Sequence, residues 1–182
     1  DGLALQHAPE KLRAEKKIVL AAVNQNGMAL QYAGRELNAN RYIVIPAVKK
    51  NGLALQYASE DLRKSKDIVL TAIQQNGNAL QYASENFKSD EEIVLMAVEQ
   101  NERAFRYGSK TLIFNKNFII TAMTRNPLLI PCLNDNFLET DKVMKIICDK
   151  LDPILKNGAL DSNSEGTQTN SRLKKINEKN KD

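Results

Sequence analysis

The chain has 182 residues, a formal net charge of +4, 42% hydrophobic and 26% charged residues, no Trp and one His. That is one domain's worth of chain, whose core must be aliphatic. No apolar run approaches the roughly 18 residues of a membrane span, and His7 with Cys132 and Cys148 falls short of the about four ligands of a structural zinc.

The first element in the chain is a pattern. Glycines fall at Gly2, Gly27, Gly52 and Gly77, and alanines two places on at Ala4, Ala29, Ala54, Ala79 and Ala104. The next column is Leu5, Leu30, Leu55, Leu80 and Phe105. The period is 25 residues without insertion or deletion. Such a period marks an array whose units bury their apolar faces only against their neighbours. The chain starts at Asp1, without Met and in mid-pattern, as a fragment would. The expectation is that repeats or a cap lie upstream and that the outer face of the first unit is open.

Within residues 51–75 the first half sets Leu55, Ala58 and Leu62 at i, i+3 and i+7, one narrow helical stripe. This predicts a first helix of about ten residues, an α-helical length of three turns; in the first unit it covers Leu3–Leu12. The second half sets Ile68, Val69, Ala72 and Ile73 on a wider stripe, a second and more buried helix. Leu55, Leu62, Ile68, Val69, Ala72, Leu80 and Ile93 are the predicted core.

Caps support two helices per unit. Asp1, Asn26, Asn51, Asn76, Asn101 and Asn126 precede the first helix, as N-caps or as a buried hydrogen-bonded ladder, and capping also accounts for Asp1 and Pro127. Glu15, Asn40, Ser65, Asp90, Asn115 and Thr140 precede the second helix. Ser89 with Glu92 fits a capping box, which would start that helix one residue early. Pro46 falls inside a second helix, where it should kink or fray it.

The sixth unit is degenerate, with apolar residues at Leu128, Leu129 and Ile130 and at Met144, Ile146 and Ile147. The predicted fold is thus an all-α solenoid of about six 25-residue helix-turn-helix repeats over residues 1–150. A terminal half-helix follows at residues 151–160. Residues 161–182 are a polar tail, read as disordered because they cannot bury enough apolar surface to order.

Chemistry-bearing residues are few. Stacked aromatics at His7, Tyr32, Tyr57, Tyr82 and Tyr107 either contact an extended peptide or pack between repeats with their hydroxyls at the wet edge. The adjoining Gln6, Gln31, Gln56 and Gln81 are expected to face solvent, where they could bond a peptide backbone. Tyr32, Tyr57, Tyr82, Tyr107, Gln31, Gln56 and Gln81 are the candidate partner-binding residues. With one His, a nucleophile–base pair is not visible, nor is a phosphate loop, so the reading is a non-enzyme with no cofactor and no metal. Residues 1–50 hold eight basic and four acidic groups, and residues 51–100 hold four and eight. A nucleic-acid binder needs a continuous basic stripe, so the acidic middle argues against one. Two cysteines fit a reducing compartment, the cytoplasm.

The unit Asn-Gly-Leu-Ala-Leu-Gln-Tyr-Ala-Ser-Glu-Asp-Leu-Arg at residues 51–63, followed by Asp-Ile-Val-Leu-Thr-Ala-Ile at residues 67–73, resembles a tandem repeat catalogued as domain of unknown function number forty-one sixteen. The resemblance covers residues 1–125 well and residues 126–150 poorly. It implies a protein of intracellular bacteria that inject effectors into host cells, or of certain protists, and no agreed activity or functional residue comes with it. The expected function is a protein-interaction scaffold, part of an effector secreted into a host cell. The alternatives are a helical targeting domain of a larger enzyme and, third, an RNA-binding repeat array.

Overall fold

The protein is seen in a computed structural model that describes residues 1–132, with side chains up to Leu129. The second half of the sixth unit, the terminal half-helix, the tail and the side chains of both cysteines lie outside the described residues. Two compact bodies divide the chain, residues 1–109 and residues 110–182. Among the described residues every regular element is helical.

Each repeat holds three helical segments where the sequence pattern predicts two. In the second unit they are a six-residue 3-10 segment Gly27–Tyr32, a one-turn α-helix Arg35–Asn38 and a ten-residue α-helix Arg41–Lys50. The same three lengths recur in the third unit, as Gly52–Tyr57, Glu60–Arg63 and Lys66–Gln75. The predicted first helix is therefore broken in its middle. The residue after each 3-10 segment is extended: Ala8 has φ −73 and ψ 143, and Ala58 has φ −68 and ψ 151. In the first unit Pro9 enforces this, because proline disfavours the α conformation in the residue before it. Elsewhere Gly34, Ser59 and Ser84 hold the N-cap of the short helix, a position that suits those types.

The Asn column terminates one segment and starts the next. The Asn76 amide donates to Ala72 O at 2.9 Å, closing the long helix, while its Oδ1 accepts from the Asn78 amide at 3.0 Å. Asp1, Asn26, Asn51, Asn101 and Asn126 make the same side-chain bond at 3.0–3.1 Å. The capping reading holds, and the buried ladder does not. Before the long helices, Asn40, Asp90 and Asn115 cap through their side chains. The helix of the fourth unit starts at Glu91 behind Asp90, not one residue earlier at a capping box; Ser89 instead ends the short helix. Pro46 does not fray its helix, which spans the same ten residues as its counterparts.

In residues 1–109 the units stack in series. Each 3-10 segment packs on the next, and so does each long helix from Lys16–Gln25 to Glu91–Gln100. The core runs between these two rows. Ala54, Leu55, Ile68, Val69, Ala72 and Leu80 are fully buried there, and Ile93 is 3% exposed. Leu62 is a correction: it is only half-buried, because its short helix stands at the edge rather than in the core row.

The glycine column has a steric cause. A Cβ built on Gly2, Gly27, Gly52 or Gly77 would overlap the carbonyl oxygen of Ala22, Ala47, Ala72 or Ala97 respectively. The start of the 3-10 segment thus lies directly on the last turn of the long helix of its own unit.

A second recurrent contact joins consecutive units. The amides of Gly34, Ser59, Ser84 and Ser109 donate to the carbonyls of Arg13, Asn38, Arg63 and Lys88 at 2.8, 2.9, 3.3 and 2.7 Å. At the outer face of the first unit Pro9 has no such donor. In the first unit Ala4 is exposed and Ile18 half-buried, whereas their counterparts Ala29 and Ile43 are fully buried.

The second body is described only in part. It contains Lys110–Ile113, Lys116–Arg125 and the 3-10 segment Pro127–Cys132, in which Phe118, Ala122, Met123 and Leu129 are at most 2% exposed.

Candidate interaction surface

The tyrosines lie at the end of each 3-10 segment and are half-buried. Their position in the stack directs the ring toward the preceding unit. The Tyr32 hydroxyl donates to Gln6 Oε1 at 3.0 Å, and the Tyr57 hydroxyl donates to Gln31 Oε1 at 3.2 Å. The structure thus brings the two candidate columns together across unit boundaries, 26 residues apart. Gln31 is exposed, but Gln56 and Gln81 are half-buried, a correction to a column expected to face solvent. Their Nε2 atoms turn back onto Leu53 O and Asn78 O at 3.1 Å. Tyr82 and Tyr107 are half-buried in the same way.

Gln75 and Gln100, at the ends of long helices, accept from the amides of Gly52 and Gly77. The sequence pattern does not single them out, because glutamine at a helix end reads as an exposed residue.

Beside Tyr32 a groove of about 470 Å³ separates the short helices of the first two units. Ala14 and Gly34 leave the space, and Glu10, Arg13, Arg35 and Glu36 line it. Two cations and two anions leave the groove without a dominant charge. The Arg13 Nε within this region is buried without a hydrogen-bond partner.

A third exposed feature is the edge formed by the starts of the long helices. Arg41 Nη2 lies 2.5 Å from Asp67 Oδ2, and Lys16 Nζ lies 5.1 Å from the centroid of the Tyr42 ring. The hydroxyl of Ser65, donating at 2.6 Å, holds the Asp67 carboxyl below its ordinary pKa, and the Arg41 charge adds to the effect. Among the described residues no group of three or more His, Cys, Asp or Glu is placed to hold a metal ion, and no helix is long and apolar enough to cross a membrane.

The chain matches the family described as Domain of unknown function (DUF4116) in four segments, residues 1–38, 40–88, 66–113 and 90–138. Neither a curated protein nor a solved structure matches it.

Proposed function

The chain belongs to the family described as Domain of unknown function (DUF4116), and on that footing we propose that it is a non-enzymatic protein-interaction scaffold, a solenoid that forms part of a secreted bacterial effector. One observation carries the reading. Within residues 1–109 successive units are held in register by a backbone bond that recurs at each boundary, joined at the first two boundaries by a Tyr–Gln bond. Side chains at equivalent exposed positions therefore recur at a fixed interval on a surface that is organised before any partner arrives. Such preorganisation reduces the entropy lost on binding, and repeat arrays offer extended surfaces of this kind.

The exposed columns differ in charge from unit to unit, which supplies specificity without a single deep pocket. The Tyr rings and exposed Gln31 would add contact at the edge of the 3-10 row. The test is capture from host-cell lysate on the immobilised chain, identification by mass spectrometry, and calorimetry with the purified candidate. A saturable one-protein complex supports the scaffold. Association only with RNA, weakening steeply with salt, would replace it by the nucleic-acid reading.

A further inference from the structure

The Lys16–Tyr42 and Arg41–Asp67 contacts place the starts of the first three long helices side by side along one edge of residues 1–109. The fourth long helix packs on the third and extends this edge by one step. Unit by unit the edge carries Lys16 and Lys17, then Arg41 and Tyr42, then Lys66 and Asp67, then Glu91 and Glu92, and all eight are exposed. Its charge passes from basic through neutral to acidic. Glu15 offsets part of the basic end without reversing it, and Asp90 at the acidic end caps the Ile93 amide.

Two features distinguish this edge from an ordinary solvated one. A helix N-terminus carries partial positive charge and favours Glu over Lys. Glu91 and Glu92 obey that preference, whereas Lys16, Lys17 and Lys66 oppose it, so helix stability does not account for them. Tyr42 is also 71% exposed, the highest value among the large apolar and aromatic side chains described. Exposed aromatic rings are enriched as anchors at the centres of interfaces.

We propose that this edge pairs antiparallel with the same edge of a second copy of the chain. A two-fold axis between the second and third units sets Lys16 and Lys17 against the partner's Glu91 and Glu92. It sets Arg41 and Tyr42 against the partner's Lys66 and Asp67. Each contact then occurs twice, as an isologous interface requires, and the two Tyr42 rings flank the axis. The four-step order of charges is self-complementary only in this antiparallel arrangement; a parallel pair would oppose like charges at both ends.

Sedimentation equilibrium of the full chain tests this at salt near 20 mM and near 500 mM, which brackets weak and strong screening over contact distances. The expected result is a dimer at low salt and a monomer at high salt. K16E/K17E and E91K/E92K should each raise the dimer Kd at least about tenfold at low salt, because like charges then meet. Mixed in equal amounts, the two variants should form a heterodimer, since the reversed ends face each other and the native ends face each other, with opposite charges at both. K16E/K17E places acids where the helix favours them, so at high salt, where both chains are monomers, its melting temperature should not fall below that of the wild type, which separates lost association from lost folding. Should E91K/E92K unfold, E91K alone replaces it in the mixing test. A wild-type chain monomeric at low salt, a dimer that K16E/K17E leaves intact, or folded variants that stay apart when mixed would each overturn the proposal.

Discussion

Replacing Gly77 by Ala should destabilise the protein, against the usual preference for Ala in helical segments of roughly 0.5–1 kcal/mol. The added Cβ overlaps Ala97 O, a backbone atom on one side and a Cβ fixed to the backbone on the other, so no side-chain rotation relieves the overlap. The 3-10 segment must withdraw from the long helix. That weakens the Asn76 cap, worth about 1 kcal/mol, and the bond from the Gly77 amide to Gln100, worth about 1 kcal/mol. Movement also loosens the fully buried Ala79 and Leu80, and overpacking of this kind costs about 1–3 kcal/mol. Loss of unfolded-state freedom on replacing Gly offsets about 0.4–1 kcal/mol. The net expectation is a destabilisation of about 2 kcal/mol or more. Gly34 supplies the comparison: it has φ −58, and a Cβ there would lie no nearer than 3.3 Å to Ala14 Cα and 3.4 Å to Arg13 O, so Gly34→Ala should cost clearly less than Gly77→Ala. Urea unfolding followed by far-UV circular dichroism reads both as midpoint shifts at constant slope. A neutral or stabilising Gly77→Ala, or equal losses from both substitutions, would refute the close approach of the two backbones.

Other substitutions follow from the same structure. Leu80→Ala should cost about 2–5 kcal/mol as a core truncation, whereas Leu12→Ala should cost below about 1 kcal/mol because Leu12 is 38% exposed; the pair is read in the same urea titration. Asn76→Ala should cost about 1 kcal/mol and Asn76→Asp much less, since Asp caps as well as Asn. Ser59→Pro suits the local φ of −57 but deletes the amide that bonds Asn38 O at 2.9 Å; beyond Ser59→Ala it should cost about 0.5–1.5 kcal/mol for the bond, less the about 0.4–1 kcal/mol gained by restricting the unfolded chain. Asp67 is held below the ordinary carboxylate pKa by Ser65 first and Arg41 second. Its stabilising contribution is therefore present above the ordinary value and is lost as pH falls through the depressed one. In an NMR titration, Ser65→Ala should move the Asp67 pKa upward, toward that ordinary value.

The long helices and the Asn caps were legible in the sequence because both rest on local signals, a wide apolar stripe and a side chain two residues from the amide it accepts from. The first half of each unit misleads because Leu55, Ala58 and Leu62 keep the spacing of one continuous helix while the backbone at Ala58 is extended. Pro9 and the N-cap types Ser59 and Ser84 were the available signs of the break. The glycine column marks a place where two backbones meet, and no local rule reports which carbonyl lies opposite. Likewise Tyr32 and Gln6 both stand in columns visible in the sequence, but their bond spans 26 residues and exists only once the units stack. The groove at Ala14 and Gly34 also depends on stacking, since its walls come from different units.

Site-resolved amide hydrogen exchange tests the in-register stacking most directly. The amides of Gly34, Ser59 and Ser84 stand outside any helix and bond only to the preceding unit, whereas those of Arg35, Glu60 and Glu85 open the short helices, where first-turn amides lack helical partners. The account predicts slow exchange at the first set and fast exchange at the immediate neighbours, repeating every 25 residues. Equally fast exchange at both sets in the folded chain would show that the units are not held together by these bonds and would contradict it.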